Sequence, residues 1–138
     1  MAGPRPALSR YRLGQATEKL ESARILLEHG QYRDSVSRSY YAMLMSARAL
    51  LAIRDANPKT HSGVVTAVSE SFVKPGQLAS QSGRRLAQAM ELREDSDYGD
   101  FVEVTKADAA KQLRDAEAFV EEAGRLARKL LRAKPPKR

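Results

Sequence analysis

The chain has 138 residues and no cysteine, so one domain with its own hydrophobic core is expected, and disulfides and thiolate metal sites are excluded. No apolar run approaches the roughly 20 residues that span a bilayer. The start, Met-Ala-Gly-Pro-Arg-Pro, lacks the apolar segment of a secretory signal, so a cytoplasmic protein with no membrane association is expected. The formal charge is +7, carried in full by Arg125, Arg128, Lys129, Arg132, Lys134, Lys137 and Arg138, with no acid between them. The rest of the chain is formally neutral. A basic tail of this kind suits a solvated helix end or the recruitment of a polyanion such as RNA.

Apolar residues recur every three or four positions, the period of an α-helix. A first helix is expected from Leu8 to His29, on a stripe of Leu13, Ala16, Leu20, Ala23 and Leu27, with Gly30 just past its end. A second is expected from Tyr32 to Arg54, with Val36, Tyr40, Met43, Leu44, Ala47, Leu50 and Leu51 inward. Arg38, Tyr41, Met45 and Arg48 fall on a neighbouring arc. That arc either widens the core or faces a partner or polyanion. Pro58 breaks the helix. A short third helix is expected from His61 to Phe72, with Val64, Val65, Val68 and Phe72 inward. After a Lys74-Pro-Gly76 turn, a fourth is expected from Leu78 to Asp95. An extended piece, Phe101 to Val104, leads to Thr105 and Asp108, which are spaced as a capping box. A fifth helix follows from Lys106 to Ala133, on Ala109, Leu113, Ala116, Val120, Ala123 and Leu130. The expected fold is all-α: an up-and-down bundle of about five helices, four long and one short, over residues 1–133, with a basic tail at 134–138.

Arg93 continues the inward stripe of the fourth helix, after Leu86, Ala89 and Met90. A guanidinium near an interior face needs an acid or a phosphate as partner. Asp97 is near enough in sequence to be a structural clamp. Otherwise Arg93 serves binding or catalysis. His61, at the start of a helix after a proline loop, is a candidate base, because the helix dipole disfavours its charged form. His29 precedes Gly30 and reads as an end cap. No His-x-x-x-His pair, glycine-rich phosphate loop or nucleophile elbow is present, so no metal and no cofactor are expected.

Arg38-Ser-Tyr-Tyr-Ala-Met43, Ala47-Arg-Ala-Leu-Leu51, Lys59-Thr-His-Ser-Gly63 and Leu92-Arg-Glu-Asp-Ser-Asp-Tyr98, in this order, resemble the HEPN domain over about residues 8 to 130. The resemblance implies an up-and-down helical bundle that forms a homodimer and often pairs with a minimal nucleotidyltransferase as a toxin–antitoxin couple. It also implies a metal-independent endoribonuclease, in which an arginine is followed four to six residues later by a histidine. Arg93 matches that arginine. Asp97 and Tyr98 stand where the histidine is expected, so His61 is the candidate to replace it. On this reading Arg93, Tyr98 and His61 are catalytic, and Arg38, Tyr41 and Asp97 bind substrate. The alternative is a non-catalytic HEPN module that binds RNA, a nucleotide or a partner protein; a helical dimer without a small ligand is the third reading.

Overall fold

Small residues at helical spacing set the closest packing in the molecule. Helix α1 spans Pro4–Glu28 and helix α2 spans Tyr32–Ile53. Ala16 and Ala23 of α1, and Ser39, Ala42, Ser46 and Ala49 of α2, are wholly buried. Without bulky side chains between them, the two helices make the most extensive contact in the fold. Ser35 Oγ donates to the Ala23 carbonyl at 2.8 Å and ties them together. Gly30, at φ +74°, turns the chain between them. Its N–H bonds the Leu27 carbonyl, and that of Gln31 bonds Leu26, which satisfies two carbonyls at the end of α1. The computed structural model describes residues 4–133, and over them α1 begins four residues earlier than expected. Pro4 and Pro6 fall in the first turn, where the missing N–H groups have no intrahelical partner to lose.

Helix α3 spans His61–Val68 and continues through a π-helical turn, Ser69–Val73. Thr60 caps α3, its hydroxyl accepting from the Gly63 N–H at 2.9 Å. Helix α4 spans Ser80–Tyr98, starting two residues later than expected and running three residues past Asp95. Its N-terminus has no cap of its own and takes one from α5. Glu122 accepts from the Ala79 N–H at 3.2 Å and from the Ser82 hydroxyl. A carboxylate there also meets the positive end of the helix dipole. Glu122→Ala is therefore expected to lower stability by about 1 kcal/mol in urea unfolding. Helix α5 spans Lys106–Arg132 and opens on the expected capping box between Thr105 and Asp108.

Helix α2 occupies the centre and packs on all four others. Its Tyr40, Met43, Leu44, Leu50 and Leu51 form the core with Val64, Val68, Phe72, Leu86 and Phe119. Val65, Val120 and Leu130, expected inward, are half-buried at its edge. Cross-helix contacts give the directions. Arg24 of α1 pairs with Glu117 of α5 at 2.9 Å, and Arg85 of α4 with Asp115 of α5 at 3.5 Å. Arg12 of α1 reaches Arg48 of α2. Helices α1 and α4 thus run antiparallel to both α2 and α5, which are parallel to each other.

The segment expected to be extended, Phe101 to Val104, is neither helix nor strand, and the described residues contain no strand. Phe101 adopts φ +60° with its ring fully exposed. Arg33 holds this segment to the helices by donating to the carbonyls of Ser96 and Val102. No helix among the described residues is long and apolar enough to cross a membrane. The tail at 134–138 lies outside the described residues.

Candidate functional site

The helical period of α4 delivers Arg93 to the inner face. Leu86 and Ala89 are buried and Met90 is half-buried, and the Arg93 side chain that follows is only 15% exposed. One turn later, Asp97 places a carboxylate oxygen 2.9 Å from Arg93 Nε. The contact is an ion pair and not an aligned hydrogen bond, because the Nε–H finds no acceptor in line with it. The guanidinium also rests against two tyrosines. Its Cζ lies 5.2 Å from the Tyr41 ring centre and 5.8 Å from that of Tyr98, both within cation–π range. Tyr41 is half-buried, whereas Tyr98, the last residue of α4, is 75% exposed.

His61 approaches the same Tyr41 from α3. Their ring centres are 5.9 Å apart at 85°, an edge-to-face arrangement, and Tyr40 lies 5.6 Å from His61. The loop before α3 makes this approach possible. A Cβ on Gly63 would stand 2.8 Å from Thr60 Oγ1 and 3.3 Å from Pro58 Cβ, so any larger residue would displace the cap that orients the first turn. The imidazole pKa is held below the usual 6.5. Its largest cause is burial, followed by the positive charges of Arg93 and Arg48; Glu94 opposes them. His61 is therefore neutral at pH 7, with a lone pair free to take a proton.

Tyr40 forms the floor of the cluster. It is wholly buried, its hydroxyl has no hydrogen-bond partner among the described residues, and its pKa is pushed up to about 12. Burial is the largest cause, followed by the neighbouring Tyr41. A phenol whose folded pKa is raised stabilises the fold fully below its unfolded pKa near 10 and loses that contribution as pH rises toward 12. Alkaline titration monitored by circular dichroism is expected to show roughly 3 kcal/mol of destabilisation over that window. The loss should be absent in Tyr40→Phe.

Residues 9–126 match the model of the HEPN domain. The chain belongs to the HEPN domain family. A relative from Methanocaldococcus jannaschii, named "Putative toxin", is 39% identical over 106 residues, covering 77% of this chain and 78% of that one. A "UPF0332 protein" of Thermotoga maritima is 33% identical, covering 86% of this chain and 90% of its own. Another, of Archaeoglobus fulgidus, is 38% identical and covers 81% and 89%.

On this HEPN fold, five of the six residues singled out in the sequence come together: Arg93, Asp97, Tyr98, His61 and Tyr41, with Tyr41 between His61 and Arg93. Arg38 stands apart. It is exposed and lines a groove with Lys19, Leu26, Asp34, Ser37 and Tyr41, so it adjoins the cluster through Tyr41 alone. Asp97 is turned to Arg93 as its ion-pair partner. His29 is remote, with Nδ1 2.8 Å from the Ile25 carbonyl at the end of α1. Tyr40 was legible in the sequence only as core, because its spacing on α2 is that of a buried residue. Glu94 follows Arg93 on α4 and its charge bears on His61 from there, whereas nothing in the sequence signalled Arg12, which lies on α1. Among the described residues no group of three His, Asp or Glu side chains is placed to hold a metal ion.

Proposed function

We propose that this HEPN protein is the toxin-like member of a toxin–antitoxin pair with a minimal nucleotidyltransferase, and that it cleaves RNA without a metal. The observation that carries this reading is the convergence of a neutral His61 and the shielded Arg93 guanidinium on the same tyrosine, Tyr41, from different helices. The chemistry follows from the groups. His61 takes the proton of a ribose 2′-OH, and the 2′-oxygen attacks the adjacent phosphorus. Arg93 neutralises the charge that grows on the phosphoryl oxygens. The P–O5′ bond breaks, and the departing oxygen receives a proton from the exposed Tyr98 hydroxyl or from water. The products are a 2′,3′-cyclic phosphate and a 5′-hydroxyl. The "Putative toxin" relative supports the toxin reading. A homodimer formed across the exposed rings of Tyr98 and Phe101 would bring two such clusters to one cleft. The cytoplasm, where RNA is available, is the compartment this reading requires.

One observation favours the alternative of a non-catalytic binding module. Asp97 already holds Arg93 at 2.9 Å and competes with any phosphate. Labelled RNA incubated with the protein in EDTA decides between the two. Cleavage to cyclic-phosphate ends is expected, with an acid limb in the pH profile whose midpoint lies below 6.5 and which disappears in His61→Ala. Intact RNA at every salt concentration would leave the binding module as the function.

A further inference from the structure

Arg48, held at the loop that leads to His61, and Arg12, bonded to the Arg48 carbonyl, form no ion pair among the described residues. Arg12 of α1 and Arg48 of α2 are both half-buried. Arg12 Nη1 donates to the Arg48 carbonyl at 3.2 Å, and Arg48 Nη1 to the Pro58 carbonyl at 3.4 Å. Both acceptors are neutral. None of the seven ion pairs among the described residues includes either arginine. Each guanidinium has five N–H donors, so most of their donors remain open. Their charges are close enough to oppose one another, and the Arg12 pKa is lowered by burial first and by Arg48 second. Two partly desolvated like charges cost stability. A bound anion would repay that cost. Position supplies the second constraint. Arg48 is held on the loop that leads into α3, and its charge acts on both His61 and Tyr40. Arg48 is thus tied to the chain three residues before His61, and His61 and Arg93 both meet Tyr41.

We propose that Arg12 and Arg48 form a second phosphate subsite, which holds the backbone phosphodiester of an RNA strand next to the one held at Arg93. This rests on reading the Arg93–His61 cluster as an RNA-cleaving site. The subsite makes the preferred substrate a strand with at least two successive phosphates, entering along the α1–α2 side.

The test measures affinity separately from cleavage. Uncleavable 2′-O-methyl probes are used, one a dinucleotide with a single phosphate and the other a hexanucleotide. Wild-type protein is expected to bind the hexanucleotide more tightly. Arg12→Gln is expected to weaken hexanucleotide binding by about 10-fold and to reduce its salt dependence by about one charge. Dinucleotide affinity should not change, and Arg12→Lys should restore most of the loss. Thermal melting of Arg12→Gln should be no lower than wild type, since a like-charge contact is removed. Unchanged hexanucleotide binding in Arg12→Gln, an equal loss on both probes, or no binding of either probe would overturn the subsite. Failure of the cleavage reading is seen separately, as intact RNA in EDTA alongside an Arg12-dependent preference for the longer probe.

Discussion

Arg93→Ala is expected to lower RNA cleavage by about 10²–10³-fold, the usual cost of removing one group that stabilises transition-state charge. The fold should survive. The side chain lies near the end of α4, and its ion pair with Asp97 is partly open to solvent, at 15% and 29% exposure. Such a pair contributes no more than about 1 kcal/mol. Single-turnover cleavage and thermal melting, run on the same preparation, separate the two effects. A charge-keeping change is informative here. Arg93→Lys retains the cation but loses the planar fork and the stacking between Tyr41 and Tyr98. Its activity should fall between those of Arg93→Ala and wild type. Asp97→Asn removes the competing carboxylate and should tighten RNA binding several-fold. If Arg93→Ala cleaves as well as wild type, Arg93 is a structural clamp and the catalytic reading is wrong.

Phe119→Ala is expected to have the largest effect on stability. Phe119 is 2% exposed and sits on α5 against the central helix. Truncating a buried phenylalanine removes its transfer free energy and leaves a cavity that close-packed neighbours fill only in part, at a cost of about 3–5 kcal/mol. A domain of this size has roughly 5–15 kcal/mol in total, so the variant should lie near the unfolding threshold at 37 °C. Chemical denaturation should show a lower midpoint with an unchanged slope. The small residues around it limit compensation. Ala116 and Ala123, one turn either side on α5, are wholly buried and have no side-chain freedom with which to fill a void. A loss below 1 kcal/mol would mean that α5 is less firmly docked than its burial indicates.

Most of the fold was legible because each helix carries its own signals. The stripe Val36-Tyr40-Met43-Leu44-Ala47-Leu50-Leu51 is wholly buried as its spacing requires. The Thr105–Asp108 capping box closes as written. Boundaries were less legible. Tyr98 ends α4, three residues beyond the expected Asp95, because Ser96 stays inside, with its hydroxyl bonded to the Leu92 carbonyl at 2.7 Å. The start of α4 depends on Glu122, forty residues away, which no local pattern reveals.

The site divides in the same way. Sequence alone determined that Arg93 lies on an inner helical face, with Asp97 one turn away, because both follow from a period of 3.6 residues. The HEPN likeness was also legible, as a set of short segments in a fixed order. Only the tertiary structure decided that His61 and Arg93 meet at Tyr41, that Arg38 does not join them, and that Arg12 reaches Arg48 across α1 and α2. Helical periodicity states which face of a helix is buried. It does not state which other helix covers that face, and this cluster forms only where side chains of α2, α3 and α4 meet.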